Sequence, residues 1–173
     1  IDLPGETRGL VPTNAYYDER FHTGSWPRGV LLNLGIGQGE LLATPLQLAT
    51  MASVVASRGK AVRPHVVRTI QEDGPFTVEK PIEGGVNTTD QNWDAVHLAM
   101  RKVVEGGTAN SVRVPGVSVG GKTGTAQNPH GNDHALFVCF APVEAPTVAM
   151  AVVAENSGHG GTVCAPIAAQ VLK

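Results

Sequence analysis

The stretch of this chain best equipped for chemistry is Lys122-Thr123-Gly124-Thr125. It sets an ammonium, two hydroxyls and a bare backbone position side by side, directly after Gly120 and Gly121. Cations and hydroxyl donors hold carboxylates through short, charge-assisted hydrogen bonds. Glycines in a strand let a ligand or a second backbone come close. Residues 112–119, just before, are rich in β-branched side chains, and two apolar strand candidates follow past a polar loop. The group is therefore expected on a strand. Such a strand suits an extended, anionic, peptide-like ligand: main-chain hydrogen bonds align the peptide while Lys122 and the threonines hold its negative end. A Lys-Thr-Gly triplet alone is short enough to recur by chance, so its surroundings decide.

Those surroundings begin with bulk properties. A chain of 173 residues fits one domain or part of one. A formal net charge of −2, with no basic run, gives no electrostatic footprint for nucleic acid. The longest apolar stretches, 135–141 and 148–154, are far too short to span a bilayer. No signal-peptide pattern precedes Ile1, and Ile1-Asp2-Leu3-Pro4-Gly5 reads as a turn inside a longer protein, so the chain is expected to be a piece. Cys139 lies in an apolar strand candidate, as a small core residue does, and Cys164 lies near the last helix; the sequence leaves open whether they pair. Asn87-Thr88-Thr89 matches a glycosylation acceptor but reads better as the start of a helix.

Residues 1–33 carry many prolines and glycines and little periodicity, so a long irregular segment is expected, with short helical turns near 16–20. Leu34-Gly35-Ile36-Gly37-Gln38-Gly39 resembles a dinucleotide fingerprint only superficially, since its last glycine would fall on Glu40. A tight glycine turn is the better account. Thr44-Pro45-Leu46-Gln47 has the form of a capping box with proline at the first helical position, so a helix should run to about Ser57 and stop at Gly59. Residues 62–70 and 76–78 suggest a peripheral hairpin. A second helix starts near Thr88 or Thr89, with Thr88 and Gln91 as its capping box, and buries Trp93, Val96, Met100 and Val103/Val104. His97 sits beside that stripe as a partly buried packing residue. Strands follow at 135–140 and 147–154, apolar enough to be covered on both faces, and then a helix over about 165–173. The fold expected is α+β, with helices packed on an antiparallel sheet.

Taken together, Gly37-Gln38-Gly39, Thr44-Pro45-Leu46-Gln47-Leu48-Ala49, Gly106-Gly107-Thr108-Ala109, Gly121-Lys122-Thr123-Gly124-Thr125-Ala126 and His134-Ala135-Leu136-Phe137 with Phe140-Ala141-Pro142 resemble the C-terminal half of a penicillin-binding protein transpeptidase domain. Leu3-Pro4-Gly5-Glu6 and Gly9-Leu10-Val11-Pro12 are similar to the elongation-type class B members, which serve cell shape. The resemblance covers essentially all of 1–173, in order. It implies a penicillin-binding/serine β-lactamase-like fold and acyl transfer. A Ser-x-x-Lys serine attacks the penultimate D-Ala carbonyl of a peptidoglycan stem peptide, D-Ala leaves, and the amine of a neighbouring stem takes the acyl group. β-Lactams mimic the D-Ala-D-Ala end and trap the serine. Lys122 would supply charge and a proton relay; Thr123 and Thr125 would hold the substrate carboxylate; the Thr125 N–H would be an oxyanion-hole donor. Gly121 and Gly124 would keep the ligand's approach open.

The resemblance also says what this stretch of chain lacks. Ser57-Arg58-Gly59-Lys60 fits Ser-x-x-Lys as text, but Ser57 closes a helix where the nucleophile must open one, and Gly59 breaks the turn that would carry Lys60. No Ser-x-Asn or Ser-x-Asp follows it. The nucleophile is therefore expected upstream of Ile1, roughly two hundred residues before Lys122, about a domain length. The membrane anchor is expected further upstream, the protein lying at the periplasmic face of the bacterial inner membrane. No cofactor is implied. His130 and His134 stand four apart, but Pro129 and Gly131 make their segment a loop, so neither they nor His159 are read as metal ligands. Implied partners are peptidoglycan stem peptides, β-lactam antibiotics, the upstream part of the same domain and a membrane glycosyltransferase of an elongation complex; nucleic acid is not among them. A β-lactam sensor domain, a D,D-carboxypeptidase and a scaffold that has lost its chemistry are the alternatives. Turnover separates the sensor, and the intact Lys122-Thr123-Gly124-Thr125 argues against the scaffold.

Overall fold

The computed structural model describes residues 1, 3–61, 63–67 and 84–173. The chain divides into two compact units, one comprising residues 1–6 and 45–173, the other 7–44. The hairpin expected over 62–70 and 76–78 falls almost wholly outside the described residues, and 63–67 form no strand.

In the smaller unit, helix α1 (Asn14–Phe21) is capped by Thr13, whose hydroxyl accepts from the Tyr16 N–H. Helix α2 (Gly29–Gly35) follows. Residues 1–33 are thus more ordered than their proline and glycine content suggests. Tyr17 is buried, with its ring 5.3 Å from Trp26 and 6.3 Å from Phe21, and its hydroxyl donates to Glu40 Oε2 at 3.0 Å. Gly37 and Gly39 both take positive φ, as the expected glycine turn requires, and Leu10 and Leu42 exchange two backbone hydrogen bonds.

The larger unit is built on a three-stranded antiparallel sheet in the order β1 (Gly120–Ala126), β2 (His134–Ala141), β3 (Val148–Ala154). The register pairs Lys122 with Val138 and Thr123 with Phe137. On one face, Ala135, Phe137 and Cys139 enter a core with Val112, Val119 and the small residues Cys164, Ala165 and Ala168 of helix α5 (Cys164–Val171). On the other lies helix α3 (Pro45–Ala56), packed on β2 and β3. Helix α4 (Asp90–Glu105) packs on β1. Both faces of the sheet are covered, as the apolar runs require.

Two local expectations change. Helix α4 is capped by Thr89, which accepts from the Asn92 N–H, while Thr88 accepts from the Asn92 side chain; the helix starts one residue later than a Thr88 box would place it. Its buried side chains are Trp93, His97 and Val104, and Val96 is 39% exposed. His97 takes the inward position because its ring packs 4.9 Å from that of Phe140 and its Nε2 meets the Val55 carbonyl oxygen at 2.8 Å. The β-branched run 112–119 leads into β1 through turns. Asn110–Val112 form a 3-10 turn and Pro115-Gly116 turns the chain between Val114 and Val117, with Gly116 at φ +79°. Cys139 and Cys164 are both buried and unpaired.

Candidate active site

Side chains along β1 alternate between the two faces of the sheet. Gly121, Thr123 and Thr125 share the face of Phe137 and α5; Lys122 and Gly124 lie on the other. β1 is the outer strand of the sheet, and among the described residues no strand covers its far edge. Lys122 is exposed, its ammonium donating to the Thr123 carbonyl oxygen at 2.6 Å. The charge and the hydroxyls thus share one outer strand but stand on its opposite faces.

On the threonine face lies a cleft of about 570 Å3 lined by Thr108, Ser111, Thr123, Thr125, His159 and Gly161, with neighbouring residues. Thr108 and Thr123 share a hydrogen bond between their hydroxyls at 2.9 Å. Thr125 Oγ1 lies 3.4 Å from His159 Nδ1. Ser111 Oγ donates to the Gly161 carbonyl oxygen at 3.1 Å. The cleft is walled by hydroxyls and imidazole, with no carboxylate in its lining among the described residues. It is suited to an anionic group that accepts hydrogen bonds.

Glycines set how closely these walls approach. A Cβ on Gly160 would stand 1.9 Å from the Leu136 carbonyl oxygen and 2.7 Å from that of Gly124. One on Gly161 would stand 2.3 Å from the Thr108 carbonyl oxygen, and one on Gly121 2.5 Å from Phe137 Cζ. Real Cβ atoms do not come so near, so only glycine lets the segment before α5 lie on the β1–β2 backbone. Gly124 has more room, its nearest neighbour for a Cβ being Leu136 Cβ at 3.2 Å.

Of the residues singled out in the sequence, Thr123, Gly124, Thr125, Gly121 and Lys122 all lie on β1 as expected, the threonines in the cleft and Lys122 on the opposite face. Thr108, Ser111 and His159 were not singled out for this site. The Gly160-Gly161 pair after His159 was the available signal, since paired glycines mark close backbone approach. Ser57 is elsewhere. It follows the last turn of α3, its hydroxyl donates to the carbonyl oxygens of Ser53 and Lys60, and Arg58 and Gly59 take φ of +57° and +93°. That geometry reverses the chain and places no lysine one helical turn after Ser57. The histidines are apart in role: His134 opens β2 and accepts from the Asn156 N–H at 3.0 Å, while His159 faces Thr125. Among the described residues no three His, Cys, Asp or Glu gather as metal ligands would.

The chain is similar to known proteins over its whole length. The family profile "Penicillin binding protein transpeptidase domain" matches residues 1–173. The chain is 38% identical over 179 residues to the peptidoglycan D,D-transpeptidase MrdA of Acinetobacter baumannii, covering 94% of this chain and 26% of that protein. It superposes on Pseudomonas aeruginosa PBP2, solved in complex with WCK 5153, with TM-score 0.86 and 40% identity, covering 99% of this chain and 37% of that one. It is similarly related to Helicobacter pylori PBP2 in its complex with MreC, with TM-score 0.77 and 30% identity over 99% of this chain and 32% of that one. The chain thus spans between a quarter and two fifths of the length of these three relatives.

Proposed function

The chain belongs to the penicillin-binding protein transpeptidase family, and from that premise we propose that it forms one wall of a serine D,D-transpeptidase site that cross-links peptidoglycan. The observation that carries this is the outer position of β1 among the described residues, with Thr123 and Thr125 lining a cleft on one face and Lys122 exposed on the other. An extended stem peptide lies along that margin, its terminal carboxylate on the Thr123 and Thr125 hydroxyls. The catalytic serine comes from another segment of the same domain, upstream of Ile1. A base in the segment that carries the serine takes the hydroxyl proton, the Lys122 ammonium stabilises the developing alkoxide, and the proton is relayed through Lys122 to the departing D-Ala amine. As the serine oxygen bonds to the penultimate carbonyl carbon, the oxyanion is held by the Thr125 N–H; loss of one such donor typically costs ~3–4 kcal/mol of barrier. The acceptor stem's amine then attacks the ester, forming the cross-link and restoring the serine. Water in place of that amine would give carboxypeptidase action.

β-Lactams acylate the same serine, with their carboxylate in the threonine cleft. The protein acts at the periplasmic face of the inner membrane, anchored by a segment outside this chain, and works beside a membrane glycosyltransferase. The PBP2–MreC complex of Helicobacter pylori supports a partner of the MreC kind. The test is acylation by a fluorescent penicillin. The full-length protein takes one covalent label, and residues 1–173 alone take none. Covalent, penicillin-competed label on the isolated chain would mean that its nucleophile lies within it.

A further inference from the structure

His159 sits where a loose loop residue would not. Its carbonyl oxygen accepts from the Thr162 N–H at 3.2 Å, the Val163 N–H at 3.1 Å and the Thr162 hydroxyl at 3.0 Å. The next residue is tied as well, the Gly160 carbonyl oxygen accepting from the Ala165 N–H at 2.9 Å, in the first turn of α5. Gly160 and Gly161 hold this segment against the backbone of β1, β2 and Thr108 at distances that no side chain allows. The backbone here is thus fixed, and the exposed imidazole it carries lines the cleft, with Nδ1 3.4 Å from Thr125 Oγ1.

Along its contact with His159, the Thr125 hydroxyl has two arrangements. If Nδ1 is bare, it accepts the Thr125 proton and turns it away from the cleft. If Nδ1 carries the hydrogen, it donates to Thr125 Oγ1, and the hydroxyl can direct its own proton at a bound anion. We propose that His159 is a positioning residue for Thr125: its Nδ1–H donates to Thr125 Oγ1 and so commits the Thr125 hydroxyl as a donor to the ligand's carboxylate. The proposal rests on the transpeptidase reading above and adds a residue to it. Its consequence is selective. His159 matters for ligands that bring a carboxylate to the cleft and little for those that do not.

The test uses the full-length protein and two probes, benzylpenicillin and its methyl ester, with second-order acylation rates as readout. His159→Leu slows benzylpenicillin about tenfold, the scale of one hydrogen bond to a charged group, and changes the ester's rate less than about twofold. His159→Asn, whose amide can reach the Nδ1 position, recovers most of the benzylpenicillin rate. In a Thr125→Val background, His159→Leu has no additional effect, because the hydroxyl it positions is gone. Equal slowing of both probes, or full effect in the Val background, overturns the positioning role while leaving the transpeptidase reading intact. Wild-type protein that neither probe acylates would instead remove the reading itself, and this inference with it.

Discussion

Lys122 and its threonine neighbours divide their work by strand alternation. The ammonium and the hydroxyls stand on opposite faces of β1, so one strand can address a nucleophile on one side and a carboxylate on the other. Because Lys122 is exposed and no packing depends on it, Lys122→Met in the full-length protein should leave the melting temperature unchanged. It should slow acylation by about 100-fold or more, the usual range for a group that moves a proton in the transition state. Thr125→Val keeps the backbone N–H and removes only the hydroxyl. Weakening of about 10- to 100-fold in acylation efficiency is expected, as for hydrogen bonds to a charged group; an unchanged rate would move the carboxylate elsewhere. At this scale the sequence was legible where chemistry is contiguous. Thr108 and His159 were not, because they reach Thr123 and Thr125 from 15 and 34 residues away and only the fold closes those distances.

Helices and strands were legible where period and caps agreed. Pro45 opens α3 and Gly59, at φ +93°, follows its end; β2 and β3 fall within a residue or two of their apolar runs. The misreadings have physical causes. Helix α2 is short and flanked by glycine, leaving periodicity nothing to register. In α4 the inward side takes a histidine in place of Val96, because His97 finds both a ring and a carbonyl there. Two substitutions test this level. Thr89→Ala removes the α4 cap and should cost about 1 kcal/mol in denaturant unfolding. Gly121→Ala forces a methyl onto Phe137 and should cost about 1–3 kcal/mol as overpacking. Loss of stability in the first without the second would mean that Phe137 can yield.

Across the larger unit, stability is tied to a sheet buried on both faces, and Cys139 at its centre reports on it. Burial pushes the Cys139 thiol up from 9.0 to about 12. In the folded state it stays protonated well above the pH at which the unfolded chain ionises it. Its contribution is therefore whole below pH 9 and is lost as pH rises toward 12, by up to about 1.4 kcal/mol per pH unit. Cys139→Ala should flatten the alkaline fall in stability, and an unchanged slope would place the titrating group elsewhere. Both thiols should react with a thiol reagent only after unfolding, since both are buried and free.

The order α+β, the covered sheet and the outer position of β1 were readable from patterning; the division of the chain at residues 7–44 was not, although the change from irregular to periodic sequence at Thr44-Pro45 falls on its second boundary. The whole molecule is tested most directly by a crystal structure of the full-length protein acylated by a β-lactam. The ligand carboxylate should lie within hydrogen-bond reach of both Thr123 Oγ1 and Thr125 Oγ1, with the acyl oxygen on the Thr125 N–H. A covalent adduct whose carboxylate lies away from β1 would contradict that assignment.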